Sequence, residues 1–329
     1  MKKKYKAILI LVIVSIMIFL LQHRSMPEVI QYGVSFSEFR SNGLDLNPKE
    51  TFDSIVDDLG VRKFRLSSHW QIIEPENNKF NFEFLDYQIK KLADVNGKAI
   101  LTLGRRQPAW PECHVPDWVG DLSVEKKDEE LLDFIKTVVE RYKDYDSIEY
   151  WQVENEPFLS SFAKEECGPL DKDFLKKEIS LVKSIDPTRK ILVTDSGNLG
   201  TWVGAFDVGD VFGTSLYRFF WTPDLGKFES RLPVSFYRLK FNVVSLLKGW
   251  RTGFLIELPL EPWLTTPIID ADIDTQLSRM SLPMVKDSIL FASKTGFERQ
   301  YLWGAEWWYW LKQNGHPEFW EYAKTLFKK

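Results

Sequence analysis

The sequence predicts an α/β protein built as a single (β/α)8 (TIM) barrel behind a short apolar N-terminal segment. Three observations carry that expectation. Strand-type and helix-type segments alternate from Ile30 to the C-terminus in eight β-then-α units, the order of a parallel sheet that can close on itself. The 329 residues suit one barrel as readily as two smaller domains, and no internal repeat, low-complexity block or linker divides them. Neither a G-x-G-x-x-G nor a P-loop sequence follows the first strand, which weighs against the rival doubly wound sheet.

Ahead of the barrel, MKKKYK leads into an apolar run from Ala7 to Leu21 interrupted only by Ser15, and QHRSMPE follows. A cationic start before an apolar stretch is an export signal. The run is short for a spanning helix and suits a signal h-region. No A-x-A-like cleavage site follows it, however, and the leading lysines favour an N-in orientation. Residues 1–29 are therefore expected to form an uncleaved signal anchor (a transmembrane helix) and linker, with a cleaved signal peptide as the alternative. Either way residues 30–329, the barrel, lie outside the cytoplasm.

IQYGVSF is the first strand, and Asn47-Pro48 opens the helix PKETFDSIVDDLG with Gly60 as its stop. VRKFRLS is the second strand, followed by FEFLDYQIKKLADVNG with Leu85, Ile89 and Leu92 at helical spacing. KAILTLG is the third; in its helix, DEELLDFIKTVVERYKDY, Leu131, Phe134, Ile135, Val138 and Tyr142 make one apolar face. SIEYWQV is the fourth, followed by DKDFLKKEISLVKSID and Pro187. KILVTD is the fifth, with a short helix near Trp202. DVFGTSLY is the sixth, followed by FYRLKFNVVSLLKGW. GFLIE is the seventh, its helix running from about Asp274 to Lys294 with a kink expected at Pro283. ERQYLWGAE is the eighth, and PEFWEYAKTLFK closes the chain.

Composition narrows the partners. The chain is 44% hydrophobic and 27% charged, with a net charge of −4 and no basic stripe for phosphates, so nucleic acid is not an expected partner. His23, His69, His114 and His316 lack any paired ligand spacing, and no metal or other cofactor is called for. No G-x-S-x-G elbow occurs, and Cys113 has no His/Asn partner set. Cys113 and Cys167 fall on loops after adjacent strands at the same end of the fold; they are a candidate disulfide, with two free thiols as the other possibility. Thirteen Trp either fill a large core or supply flat faces for sugar rings. Nothing in the sequence sets the oligomeric state.

Two strand ends carry the chemistry. WQVENEP places Glu156 at the end of the fourth strand, where Pro157 stops the ladder; FLIELPLEPW places Glu257 at the end of the seventh, with Pro259 close behind. In a closed barrel both belong to the C-terminal rim where active sites sit. A single glutamate there is ordinarily solvated or paired with a lysine. Two across one cleft are what glycoside hydrolysis requires, one protonated to serve the leaving oxygen and one ionised.

The W-x-x-x-N-E-P run, with FRLSSHWQIIEPENNKFNFEFLD on the second strand and YGVSFS and YLWGAEWWYW on the first and eighth, resembles the clan A glycoside hydrolases, retaining (β/α)8 enzymes that include cellulases, mannanases and β-galactosidases. The character is closest to family 5, and the similarity runs from about Gln31 to the C-terminus. The resemblance implies Glu156 as general acid/base and Glu257 as nucleophile. It also implies Asn155 on the sugar 2-OH, Arg65 keeping Glu257 ionised, Tyr217 donating its hydroxyl to Glu257, and Trp303 as the floor beneath the sugar. Trp263, Trp307 and His69 join these as substrate-binding candidates.

Departures and rivals stay open at this point. Ser215-Leu216-Tyr217 stands where many relatives have His-x-Tyr, removing one polar contact. A histidine expected after the third strand is absent from GRRQPAWPECHVPDW, where Arg105 or Arg106 could substitute. Glu261 competes for the nucleophile's role, Glu154 and Glu74 read as structural, and Glu306 could line the cleft or form a salt bridge. Arg65 has the ordinary reading of an interior ion pair, Tyr217 of plain core, and His69 of a satisfied structural histidine. Of Trp110, Trp118, Trp221 and Trp263, some would stack on sugar and others brace loops. The expected activity is retaining hydrolysis of O-glycosidic, β-type bonds in a poly- or oligosaccharide; a non-catalytic carbohydrate-binding barrel and a transglycosylase are the alternatives.

Overall fold

A computed structural model describes residues 2–23, 26–108, 112–159, 167–168, 171–222 and 226–327. Strands β1 (Gln31–Phe36), β2 (Lys63–Ser67), β3 (Lys98–Leu103), β4 (Ile148–Val153), β5 (Ile191–Asp195) and β6 (Val211–Ser215) appear where the sequence places them. A short hairpin of β7 (Phe219–Thr222) and β8 (Gly226–Glu229) comes next, then β9 (Thr252–Pro259) and β10 (Arg299–Trp303). The order β1-β10-β9-β6-β5-β4-β3-β2 closes a barrel whose neighbours all run parallel, so the predicted architecture is the observed one.

The barrel interior is filled by Ile100, Leu192, Val211, Phe254, Ile256 and Tyr301, all nearly or fully buried. A second, larger core lies between the sheet and the surrounding helices. Helix α6 (Val124–Tyr142) shows how that layer forms. The Ser123 side chain accepts the Lys126 N–H and caps its start. Leu131, Phe134, Ile135, Val138 and Tyr142, read from their spacing as one face, are at most 1% exposed. Burying each such side chain contributes roughly 1.5–3 kcal/mol relative to exposure. Helix α3 (Pro48–Asp57) starts by the same logic: Asn47 Oδ1 accepts from Lys49 N and Glu50 N, and Pro48 occupies the first turn. In α7 (Lys172–Ile185), Asp171 is the cap.

Three expectations need correction. The Pro283 kink is instead a break between α10 (Ile273–Arg279) and α11 (Leu282–Ser293), with Pro283 in the first turn of the second helix, where a missing N–H costs nothing. The β7–β8 hairpin was not foreseen. At the N-terminus, α1 (Lys2–His23) is apolar from Ala7 to Leu21 apart from Ser15, and largely exposed from Tyr5 to Phe19. Among the described residues, though, no helix is long and apolar enough to cross a membrane, so the expected spanning anchor is not found. Leu20, at its far end, is buried, and its carbonyl accepts from Asn242 Nδ2 of α9 (Val234–Lys248).

Candidate active site

The C-terminal end of β4 turns sharply through two left-handed residues, Glu154 (φ 59°) and Glu156 (φ 44°), on either side of Asn155. Non-glycine residues in this region cost of order 1–3 kcal/mol each and persist only where their surroundings fix them. Here the fixing is explicit. Glu154 N donates to Leu103 O (2.8 Å), Asn155 N to Arg106 O (2.9 Å) and Glu156 N to Thr194 Oγ1 (2.8 Å). Glu154 itself points away from the rim's centre and accepts the backbone N–H groups of Arg105 (3.0 Å) and Arg106 (2.7 Å). Gly104 (φ +106°) makes room for it, since a Cβ there would come within 2.4 Å of Glu154 Oε1. Glu154 is thus structural, as expected from its depth in the strand.

Glu257, near the end of β9, is 3% exposed and held on both oxygens. Arg65 Nη1 of β2 donates to Oε2 at 2.9 Å, and the Tyr217 hydroxyl donates to Oε1. The same guanidinium reaches β4: Nε donates to Gln152 Oε1 (2.9 Å) and Nη2 to Asn155 Oδ1 (2.6 Å). Arg65 therefore ties the strand of one glutamate to the carboxylate of the other. Burial and then the charge of Glu257 push the Tyr217 phenol far above its usual range, so it stays a donor.

Glu156 has the opposite surroundings. It is 6% exposed, and its Oε1 has no hydrogen-bond partner. Burial, the nearby negative charge of Glu257 and that of Glu112 hold its carboxyl well above the usual range, against a smaller opposing effect from the Ser215 side chain. One carboxyl is thus favoured in its neutral form while the other is gripped by a cation and a phenol, the division of labour that two-carboxylate chemistry needs. The Ser215 contact also answers a departure: a hydroxyl stands where the missing histidine would have offered its polar group.

The rival residues have partners of their own. Glu261 is paired with Arg40 of α2 (Glu38–Asn42), whose Nε reaches Oε2 at 3.2 Å, and it is absent from the cavity that Glu257 shares with Arg65 and Trp303. Glu74 accepts from Trp70 Nε1 (2.7 Å) and Asn78 N (2.8 Å), a structural role. The Arg106 guanidinium donates to Glu156 O (3.3 Å) and Leu159 O (3.2 Å), bracing the backbone of the Glu156 turn. Arg105 lies 4.0 Å from Asp128.

Of the aromatic candidates, Trp303 belongs to a small cavity of about 10 Å³ shared with Arg65, Glu257, Ser35, Ser37 and Glu306. Trp263 is 37% exposed and meets the Tyr217 ring edge-on at 5.6 Å, next to the nucleophile candidate. Trp307 is a correction: it is fully buried, its Nε1 donates to Gln276 Oε1 (2.8 Å) and its ring packs on Phe319, so it is core and not cleft. Trp118 donates to Glu74 O (3.0 Å) and braces a loop. Trp110 and the side chain of Trp221 lie outside the described residues. His69 is 2% exposed, 4.2 Å from the His114 ring, and lines a neighbouring cavity of about 30 Å³ with Glu38, Ser67 and Gln88. Burial, and then His114, keep it neutral.

Sequence reasoning missed Glu112, and left Glu306 between lining the cleft and a salt bridge. Glu112 follows Pro111, within a loop tied by the Cys113–Cys167 disulfide to the segment after β4; the candidate pair is present (Cα–Cα 5.6 Å). Glu306, at the start of α12 (Ala305–Gln313), is fully buried, accepts the Ser37 N–H at 2.8 Å, and is pushed up to about 7 by burial. No group of His, Cys, Asp and Glu among the described residues could hold a metal ion.

Residues 47–197 match Glycosyl hydrolase family 10, a stretch that takes in Arg65, Asn155 and Glu156 and ends before Tyr217 and Glu257. The β-galactosidase LacA of Lactobacillus acidophilus is 26% identical over 167 residues, covering 44% of this chain and 24% of that protein. The β-galactosidase Pbg of Clostridium perfringens is 27% identical over 165 residues, covering 42% and 24%. The chain thus spans about a quarter of the length of these curated relatives. Among solved structures, an endo-β-1,4-xylanase from Gloeophyllum trabeum superposes with a TM-score of 0.54 at 18% identity, over 85% of this chain and 86% of that one. The β-galactosidase from Rahnella sp. R3 gives 0.56 at 13% identity, over 85% and 51%. At such identities the superpositions show the shared barrel fold. The family match and the named relatives both point to a glycoside hydrolase; the matched family is 10, and the family 5 character read from the sequence is not what the match returns.

Proposed function

We propose that the chain is a retaining glycoside hydrolase that cleaves β-linked bonds in a poly- or oligosaccharide. Glu257 attacks the anomeric carbon while Glu156 gives its proton to the departing oxygen, leaving a glycosyl ester on Glu257. Glu156, now ionised, takes a proton from water as that water attacks the anomeric carbon and releases Glu257. Asn155 is placed to bind the sugar 2-OH, and Trp303 and Trp263 to flank the ring. The β-galactosidase and β-1,4-xylanase names of the similar proteins support a β linkage.

One observation carries the reading: a single buried rim holds a carboxylate secured by Arg65 and Tyr217 together with a carboxyl kept neutral by burial and by that same carboxylate. The test is hydrolysis of a panel of aryl β-glycosides with Glu156→Gln and Glu257→Gln as controls. Turnover by the parent that both variants lose supports it; sugar binding without turnover by the parent refutes it.

We further propose that the barrel works outside the cytoplasm, with α1 seated in lipid. The disulfide supports an oxidising compartment, and a helix apolar on every side belongs in an apolar environment. Flotation of the full chain with lipid vesicles tests this, and a protein left at the bottom of the gradient contradicts it.

A further inference from the structure

Glu306 is a fully buried acid of the rim that the double displacement does not use. Its backbone sits directly after β10 and the left-handed Gly304 (φ +120°), where a Cβ would come within 3.0 Å of Leu260 O. Oε1 accepts the Ser37 N–H at 2.8 Å, which caps the chain as it leaves β1. Oε2 is buried and has no hydrogen-bond partner. A buried acceptor left unpaired costs roughly 1–3 kcal/mol, and more when charged, so its retention calls for a reason.

Its position supplies one. Glu306 shares its cavity with Glu257, Arg65 and Trp303, and at about 10 Å³ that cavity matches a single oxygen atom better than a sugar ring. The other charged groups beside Glu306 do not compete for it. Arg40 is engaged with Glu261, and Arg65 with Glu257, Gln152 and Asn155. The ring floor, the nucleophile and an uncommitted acceptor thus meet around a space of one hydroxyl group.

We infer that Glu306 is a substrate-binding residue, whose Oε2 receives one hydroxyl of the sugar ring that sits on Trp303 during attack by Glu257. The inference rests on the proposed glycosidase reading and deepens it: this site prefers a glycone that carries a hydroxyl at the position facing α12. A hydrogen bond to an ionised acceptor, the form Glu306 takes above about pH 7, contributes about 1.5–3 kcal/mol, which corresponds to roughly 10- to 100-fold in kcat/KM. A site built to bond a hydroxyl rejects the analogue lacking it, because the buried group is then left unpaired.

The test compares the parent, Glu306→Gln and Glu306→Ala on the 4-nitrophenyl β-glycoside that the parent hydrolyses best and on its monodeoxy analogues, with melting temperature as a folding control. Glu306→Gln keeps an oxygen for Ser37 N–H and guards against a variant that does not fold. The inference expects a loss of about 10- to 100-fold for Glu306→Ala on the full sugar that vanishes on one deoxy analogue and persists on the others. A loss equal on every analogue means that Glu306 only caps β1 and overturns the inference, as does no loss at all. A parent inactive on every glycoside overturns the glycosidase reading itself, and this inference with it; an active parent without such coupling overturns the inference alone.

Discussion

Replacing Arg65 with methionine keeps much of the side chain's bulk and deletes its charge and its hydrogen bonds to three partners. The 2.9 Å separation between Nη1 and Glu257 Oε2 corresponds to about 6 kcal/mol of attraction at an effective dielectric of about 20. Much of that offsets the desolvation of two side chains that are 0% and 4% exposed. Removing one partner of a buried pair costs about 3–5 kcal/mol, because the other charge stays behind. Gln152 Oε1 and Asn155 Oδ1 lose their donor in the same step. Against a total stability of roughly 5–15 kcal/mol, the loss lowers the melting temperature by about 5–8 °C for a domain of this size. It also frees Glu257 and Asn155 from their fixed positions, and a displacement near 1 Å costs roughly 100-fold in rate. Arg65→Lys keeps the charge without the planar fork and falls between the two. Calorimetry and aryl β-glycoside hydrolysis measure both effects. An R65M protein that melts with the parent and keeps its kcat/KM refutes the claim that Arg65 joins the strands that carry Glu156 and Glu257.

Three other outcomes follow from the same structure. Glu156 must be protonated to act as acid, and its carboxyl is held well above the usual range. Activity therefore persists above the ordinary glutamate pKa and falls as pH rises through the raised value; Glu112→Gln, which removes one of the charges responsible, moves that alkaline limb of kcat/KM to lower pH. Glu178 of α7 is fully buried beside Glu154, and burial followed by the Glu154 charge raises its carboxyl well above the usual range. A raised folded-state value means stability present at low pH and lost as pH climbs through it, so Glu178→Gln should flatten the alkaline decline in melting temperature. Breaking the Cys113–Cys167 disulfide, which closes a loop of sequence separation 54, should cost about 4 kcal/mol on the chain-entropy estimate, checked by denaturation of the Cys113→Ser/Cys167→Ser protein against the parent.

Much of the barrel was legible because each strand is a short apolar run with a clear stop and each helix buries one stripe. Glu156 and Glu257 were legible for a related reason: proline closes the ladder beside each, so the strand ends could be located and with them the rim. What escaped depends on pairings far apart in the chain. Nothing local tells that Arg40 will meet Glu261, 221 residues later, or that Arg65 and Tyr217 will meet Glu257. Trp307 was misplaced because WWYW, aromatic at every position, shows no helical period and does not reveal which ring faces inward. Nothing in DKDFLKKEISLVKSID marks Glu178 for burial, which places it beside the Glu154 carboxyl. The β7–β8 hairpin lies between recognisable units, where four-residue strands give too short an alternation to read.

Trapping the covalent intermediate tests the central assignment most directly. A 2-deoxy-2-fluoro-β-glycosyl fluoride slows both displacement steps while its good leaving group still permits the first, so the sugar accumulates on the nucleophile. Proteolysis and mass spectrometry should then find one added glycosyl group on the peptide carrying Glu257. Finding it on Glu261 or Glu156, or finding none in a protein that turns over β-glycosides, would contradict the account.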